Sequence, residues 1–373
     1  MSVFLDLLAR AQKRHVPLSA VVELTHACNL HCEMCYLDLL PDHRIGAMST
    51  DEWRGVFRQL ADAGCLFLVL TGGELLLRRD WFELATYARS LGFALRLYTN
   101  GTLVTEEVAD RIASLRPLGV EISLHGATAE TQDAISGSKG SFEKVLRGAR
   151  AIRARGVKLL LKCVVGARNY REIQGIRDIA AELGADVLFD ADITPKNDGD
   201  RSPTDLVVDE DVLHAVARDI WSRKDGCAHA EVTGLEERLR DDPCAAGRRT
   251  CHIGPTGDVF PCTQWPTPIG NLRRERFIDV WTGSPVLAEV RSTKVGDLAG
   301  CNTCDLIQAC NPCMALSLLE QGNLDGPSQT KCRTAPARAA MVGVQGSPNG
   351  PRGAGPQSRV VQLRVPPHLQ RRA

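Results

Sequence analysis

Three cysteines, Cys28, Cys32 and Cys35, stand in the run Glu23-Leu24-Thr25-His26-Ala27-Cys28-Asn29-Leu30-His31-Cys32-Glu33-Met34-Cys35-Tyr36, with the spacing C-x3-C-x2-C. An apolar run from Ala20 to Leu24 comes directly before them and reads as a strand, so the three thiols share one tight loop at a strand end. Three thiolates on such a loop can take three corners of a cubane iron–sulfur cluster, which wants four ligands. The remaining iron is then open, and an open metal position serves chemistry rather than scaffolding. Three reduced cysteines without metal, or a zinc knuckle, are the readings this motif by itself leaves standing.

Charge and length narrow the class. The chain has 373 residues, with 45 Lys and Arg against 45 Asp and Glu. A net charge of zero leaves no electrostatic footprint for nucleic acid. No run approaches a membrane span. Residues 1–19 form an amphipathic helix candidate containing Arg10, Lys13 and Arg14, without the long apolar core and cleavage site of a signal peptide. Fourteen cysteines and no secretion signal predict metal ligation in a reducing, cytoplasmic setting rather than disulfides.

From residue 20 to about 230 the chain alternates apolar runs with amphipathic helices. Strands are predicted at Ala20–Leu24, Phe67–Leu70, Ala94–Tyr98, Val120–Leu124, Leu159–Val165 and Asp186–Phe189. Helix starts are legible between them: the capping box Ser49-x-x-Glu52, Asp80 before Trp81, and Asn169-x-x-Glu172. Six strand–helix units mean a parallel α/β sheet with right-handed crossovers, which the periodicity alone fits to either an open doubly wound sheet or a barrel.

Polar motifs follow the predicted strands. After the second comes Thr71-Gly72-Gly73-Glu74, where two glycines let backbone approach a ligand and Glu74 offers an acceptor for an ammonium. After the third comes Thr99-Asn100-Gly101, and after the fourth Ser123-Leu124-His125-Gly126. Lys162 and Cys163 alternate on the fifth strand, so at most one points inward. Asp190 and Asp192 follow the sixth, where a substrate-facing acid would sit, and residues 194–203 read as a lid or a plain surface loop.

A second cysteine system begins at about residue 242. Its members are Cys244, Cys251 and Cys262, with Gly257-x4-Cys262, and then Cys301-x2-Cys304-x5-Cys310-x2-Cys313-x18-Cys332. Spacing alone also fits a zinc ribbon of Cys301, Cys304, Cys310 and Cys313. Cys65, Cys163 and Cys227 fall in apolar or helical stretches and read as ordinary thiols. Residues 336–373 hold no acidic residue and several Gly and Pro, which predicts a disordered basic tail.

Taken together, these motifs resemble the radical S-adenosylmethionine (SAM) superfamily, and the second cysteine system over residues 231–335 resembles its SPASM extension. The resemblance implies a partial (β/α)6 TIM-like barrel over residues 20–230, with function at the C-terminal strand ends. It implies that Cys28, Cys32 and Cys35 hold a [4Fe–4S] cluster whose open iron chelates SAM, and that an electron from the cluster cleaves SAM to a 5′-deoxyadenosyl radical. Met34, Gly72, Gly73, Glu74, Asn100 and Ser123 then bind SAM, Met34 beneath the adenine. His125 replaces the usual Asp of its motif and reads as a structural substitution; His125, Asp190 and Asp192 are the weak candidates for an acid or base. Two auxiliary [4Fe–4S] clusters are implied: the first on Cys244, Cys251, Cys262 and Cys313, the second on Cys301, Cys304, Cys310 and Cys332. Were Cys251 not a ligand, the first would have an open iron; the adjacent His252 is a substitute ligand.

Within that family the layout resembles maturases of the pyrroloquinoline quinone and mycofactocin pathways, which implies radical modification of a ribosomally made precursor peptide. No peptide-binding domain precedes the first strand, so a separate small leader-binding protein is expected, along with an electron donor such as flavodoxin or ferredoxin. Thr263 stands where sulfatase-maturing relatives carry Asp after the third cysteine of the first auxiliary set, which argues against that activity. Modification of a tetrapyrrole, or a non-catalytic metal-binding role, are the alternatives.

Overall fold

The computed structural model describes residues 3–37, 46–223 and 232–347. Its spine is a nine-stranded sheet. The strands are β1 (Ser19–Glu23), β2 (Phe67–Thr71), β3 (Ala94–Thr99), β4 (Gly119–Ser123), β5 (Leu159–Val164), β6 (Asp186–Asp190), β7 (Thr250–Ile253), β8 (Asp258–Phe260) and β9 (Gly270–Asn271). Their order is β6-β5-β4-β3-β2-β1-β7-β8-β9. Every pairing from β6 to β7 is parallel, and β7–β8 and β8–β9 are antiparallel. The six predicted strands all form, each within a residue of its expected bounds, and the arc they make is an unclosed barrel. The seventh parallel strand was not foreseen: β7 comes from beyond residue 231 and pairs with β1, so the sheet runs through the boundary that composition suggested.

Alternation sorts the side chains into two faces, because in-register neighbours on parallel strands point the same way. Ala20, Val22, Leu68, Leu70, Leu95, Leu97, Val120 and Ile122 are wholly buried on the outer face. There they meet helices such as Thr50–Asp62, which contributes Trp53, Phe57 and Leu60. Each of those large side chains contributes roughly 2 kcal/mol of burial. The inner face carries Glu23, Thr71, Arg96, Tyr98, Glu121, Ser123, Lys162 and Asp190. A polar lumen inside an apolar shell is what a reaction chamber needs and what a stability core avoids.

Of three local expectations, one holds and two change. The Ser49–Glu52 capping box is present, with Ser49 N–H donating to Glu52 at 2.6 Å and Glu52 N–H to Ser49 Oγ at 3.3 Å. Asn169 and Glu172 do not make theirs. Asn169 donates to the carbonyls of His125 (2.7 Å) and Val164 (2.9 Å), and Glu172 accepts from Ala127 N–H at 2.6 Å. Loop bracing has taken both side chains, and the helix starts later, at Ile173. The predicted tail begins too early as well: the helix Gln329–Val342 continues through Pro336, with Arg338 stacked over Trp221 at 4.8 Å. The alanines at 335, 337, 339 and 340 sustain it where composition suggested disorder. Residues 348–373 and Cys227 lie outside the described residues.

Candidate functional site

The loop carrying Cys28, Cys32 and Cys35 is held by its backbone. Gly73 N–H donates to Thr25 O at 2.7 Å and Glu74 N–H to Ala27 O at 2.8 Å. A Cβ on Gly72 would stand 2.5 Å from Thr25 O, and one on Gly73 2.5 Å from Ala27 O, so only glycine admits this contact. His31 N–H donates to Ser136 O at 2.9 Å and Glu33 N–H to Ile135 O at 3.1 Å, anchoring the far side of the loop. The three sulfurs are one another's electrostatic neighbours. Burial pushes all three thiols up, Cys32 to about 12, so a metal has to displace their protons. Met34 lies half-buried within the same turn.

Glu74 is 1% exposed, and its carboxylate is held by protein donors. It accepts from Thr99 Oγ1 (2.7 Å), Asn100 N–H (2.7 Å) and Leu76 N–H (2.9 Å). Glu74, the expected ammonium acceptor, thus also braces the loop after β2 against the loop after β3. Asn100 carries the brace on to the cysteines: its Nδ2 donates to Asn29 Oδ1 at 2.9 Å and lies 3.8 Å from Cys28 Sγ. Ser123, half-buried at the end of β4, completes the rim of the lumen.

Three charged groups line the lumen below this rim. Glu23, at the end of β1, accepts from His26 Nε2 (3.1 Å) and Tyr36 Oη (3.1 Å) and lies 3.3 Å from His252 Nε2. Burial alone would raise its pKa, but His252 and His26 outweigh it and hold Glu23 well below the usual carboxylate range. Glu121 pairs with Arg96 (2.9 Å) and Lys162 (3.2 Å), and the Lys162 ammonium sits 4.4 Å from the Tyr98 ring centre. Lys162 is thus the inward residue of its pair, and Cys163 is buried behind it, 3.5 Å from Asn169 Nδ2. Asp190 accepts from Asp192 N–H at 2.9 Å, and Asp192 is bonded to Lys331 and Thr334. The two aspartates are paired within the fold, and burial followed by Asp192 raises the Asp190 pKa. His125 is buried with Nδ1 accepting from Val164 N–H at 3.3 Å, and burial lowers its pKa to about 4. His252 went unrecognised as a lumen residue; its signal was the alternation of Cys251-His252-Ile253 once that segment is read as a strand.

The second cysteine system sorts into two groups. Cys301, Cys304, Cys310 and Cys332 are mutual electrostatic neighbours, and burial raises Cys301 and Cys332 to about 12. Cys244, Cys262 and Cys313 form the other, with Cys313 raised to about 11 by burial and then Cys244. Cys313 thus has Cys244 and Cys262 as its cysteine neighbours in the electrostatics, rather than its C-x2-C partner Cys310. It also caps the helix Met314–Gln321, its Sγ accepting from Leu316 N–H at 3.5 Å, where the helix dipole favours a thiolate.

Cys251 joins neither group. It sits on β7 in register with Ala20, on the outer face, with its Sγ 4.0 Å from Ser19 O and Cys65 as its cysteine neighbour. Its side chain thus points to the outer face, whereas the expectation placed it with Cys244. The two cysteine groups otherwise fit iron–sulfur clusters: beside Cys262, the buried Trp265 indole N–H and Gln264 Oε1 have no hydrogen-bond partner, and an indole N–H suits a sulfide acceptor.

Comparison with known proteins bears on both systems. The Radical SAM superfamily model matches residues 22–179, and the SPASM iron-sulfur cluster-binding domain model matches residues 244–314. The AdoMet-dependent heme synthase of Methanosarcina barkeri is 30% identical over 81% of this chain and 92% of that protein. The PqqA peptide cyclase of Xanthomonas campestris pv. campestris is 32% identical over 74% of this chain and 76% of that one. Streptococcus suis SuiB, solved with its precursor peptide SuiA, shares the fold with a TM-score of 0.67 at 19% identity, over 87% of this chain and 79% of its own.

Proposed function

The chain belongs to the radical SAM superfamily and carries a SPASM domain, and from that premise we propose that it matures a ribosomally synthesised precursor peptide. The observation that carries this reading is the similarity to a peptide cyclase over 74% of this chain. When bound, the family's [4Fe–4S] cluster and SAM supply a 5′-deoxyadenosyl radical that takes hydrogen from substrate. Cys28, Cys32 and Cys35 hold that cluster, and the loops of Gly72–Gly73, Asn100 and Ser123, with Met34, bind SAM. Glu74 positions them. Cys301, Cys304, Cys310 and Cys332 hold one auxiliary cluster and Cys244, Cys262 and Cys313 another.

The unclosed arc gives a substrate lateral access to the lumen, while the buried Glu23–His252 pair and the half-exposed Glu121–Lys162 pair keep its wall polar and ordered. A separate leader-binding protein presents the peptide; the exposed Val3, Phe4 and Leu5 of the N-terminal helix offer it an apolar face. An acidic electron donor such as flavodoxin or ferredoxin docks in the groove of about 560 Å³ lined by Lys144, Arg147 and Arg150, whose Thr102 accepts from Asn29 beside Cys28. No helix among the described residues is long and apolar enough to cross a membrane. A cytoplasmic location, where the clusters stay reduced, belongs to the same proposal.

A tetrapyrrole substrate is the second reading, favoured by the heme synthase similarity over 92% of that protein. One assay separates the two. Reconstituted protein with SAM and dithionite is given either a candidate precursor peptide or a porphyrin carboxylate, and 5′-deoxyadenosine and substrate mass are followed. Peptide-stimulated turnover with a mass change in the peptide supports maturation. Stimulation by porphyrin alone replaces it with the second reading.

A further inference from the structure

Two cations share one carboxylate on the lumen wall. Glu121 is 5% exposed, and its two oxygens go to different partners, Oε1 to Arg96 at 2.9 Å and Oε2 to Lys162 at 3.2 Å. The strand registers set those partners at different heights. Tyr98 stands level with Glu121, and Arg96 lies two residues earlier on β3, toward the N-terminal strand ends. Lys162 stands level with Ser123, two residues beyond Glu121, toward the C-terminal ends where the cofactor rim lies. Arg96 therefore neutralises Glu121 from below, and the Lys162 charge is in excess on the side of the chemistry.

The Lys162 ammonium has donors to spare. It carries three, and among the described residues its one ion-pair partner is Glu121. The Tyr98 ring, centred 4.4 Å away, stabilises the charge without accepting a conventional hydrogen bond. The side chain stays 38% exposed although it points into the lumen. Asp190, on the neighbouring strand, accepts from Asp192 N–H at 2.9 Å, and burial followed by Asp192 raises its pKa, which weakens it as a second counter-ion. Asp192 itself is bonded to Lys331. A cation with free donors in a partly desolvated wall is stabilised by an anion that brings its own acceptors.

Position and charge narrow what that anion is. β6 is the free edge of the parallel sheet, and Lys162 stands on β5, one strand in from it, beside the open side of the arc. Its register neighbour Ser123, in the SAM-binding rim, is one strand spacing of about 4.8 Å away. A group entering laterally and held by Lys162 thus comes to rest next to the cofactor. One ammonium flanked by Glu121 suits a monoanion, whereas a phosphate dianion draws several cations or amide donors.

We infer that Lys162 anchors the substrate through a carboxylate, so that the position attacked in the lumen lies on or next to a carboxylate-bearing side chain. The inference rests on the radical SAM reading of the lumen, and the shared chemistry holds for an acidic residue of a peptide and for a carboxylate of a tetrapyrrole.

The test is a footprint on the full-length reconstituted protein, which needs no substitution. Acetic anhydride labels lysines under limiting conditions, and acetylation at Lys162 is read by mass spectrometry. Lys158, just before β5, is the internal control: it is 71% exposed and pairs with Asp186 at 3.2 Å. Glutarate is the probe. Acetylation of Lys162 is expected to slow along a saturable curve, about fivefold at about four times the half-saturating concentration, while Lys158 is unchanged. Dimethyl glutarate, and potassium chloride of matched ionic strength, are expected to slow neither. Equal rates at Lys162 with glutarate and with its ester overturn the inference, as does a Lys162 that the reagent cannot reach. The footprint is then repeated with a candidate precursor peptide against its Gln and Asn version with an amidated C-terminus, and with coproporphyrin against its methyl ester. Protection by the acidic peptide assigns the carboxylate to a peptide, and protection by the porphyrin acid assigns it to a tetrapyrrole. Glutarate decides the anchor without a substrate, so a failed maturation assay and a failed anchor remain distinguishable.

Discussion

The Glu74 carboxylate lies 2.7 Å from the backbone nitrogen of Asn100, so one buried side chain joins the loop after β2 to the loop after β3. Asn100 in turn donates to Asn29, next to Cys28. The order of the cofactor rim therefore passes through Glu74, whose acceptor capacity is directed at protein donors.

Replacing Glu74 with Ala strands three buried donors: Thr99 Oγ1, Asn100 N–H and Leu76 N–H. Leaving buried groups unsatisfied costs about 1–3 kcal/mol each, and partial relaxation brings the expected loss to about 3 kcal/mol. Glu74→Gln keeps the shape but turns an amide N–H₂ against a backbone donor, so roughly half that loss is expected. Denaturant melts of the two variants check the ranking, and equilibrium SAM binding to the reconstituted proteins should weaken in the same order. A Glu74→Ala protein that melts with the parent while losing SAM would return the carboxylate to a direct ligand role.

The fold was legible because its period is strong. Outer positions such as Val22, Leu70 and Leu97 alternate with polar inner ones, and six units of that pattern leave few topologies. The cysteine spacing likewise announced the loop of Cys28, Cys32 and Cys35. What stayed hidden depended on pairing across long separations. Thr250–Ile253 is only four residues and gave no strand signal of its own, yet its parallel pairing with β1 decides that His252 faces Glu23 and that Cys251 faces away from Cys244. Asn169 was misread for a related reason: a sequence shows that a side chain can cap, but not which neighbour reaches it first.

His125 makes a pH prediction. Burial lowers its pKa from 6.5 to about 4, and its Nδ1 accepts from Val164 N–H, so the folded protein holds the ring neutral. Above pH 6.5 both folded and unfolded chains carry the neutral ring and stability is full. As pH falls from 6.5 toward 4 the unfolded chain takes up a proton that the folded one excludes, and stability drops. The span corresponds to a loss on the order of 3 kcal/mol at 1.36 kcal/mol per pKa unit. His125→Gln keeps an acceptor for Val164 and has no proton to gain. Melting temperatures of parent and variant across this window should diverge as pH falls, with the variant the flatter of the two. Parallel curves would mean that the ring is protonated in the fold and free to act as an acid.

Arg248 governs the cysteine loop of the SPASM domain, and its removal should uncouple the two cysteine systems. Its side chain is wholly buried, donates to Val290 O (2.5 Å), Thr293 O (2.8 Å) and Cys244 O (3.4 Å), and pairs with Asp242 at 3.2 Å. Arg248→Met fills much of the volume but leaves the carbonyls without a donor, and breaking a buried pair of this kind costs about 3–5 kcal/mol. Asp242 keeps Lys294 at 2.7 Å and Gln12 at 2.9 Å, so the damage falls on the backbone that presents Cys244 rather than on the carboxylate. Arg248→Lys should rescue little, since an ammonium lacks the planar fork that spans two carbonyls and a carboxylate at once. Among the described residues, the hydrogen bonds of Arg248 reach Cys244, Val290 and Thr293 and not the loop of Cys28, Cys32 and Cys35. Iron in the reconstituted variant should therefore fall from about 12 to about 8 per chain, while the N-terminal cluster stays loaded. Substrate-free cleavage of SAM should persist, and modification of substrate should be lost. A variant that keeps all its iron would place Cys244 on a loop that folds without Arg248, whereas one that loses every cluster would show that β7 and the SPASM loop fold together with the barrel.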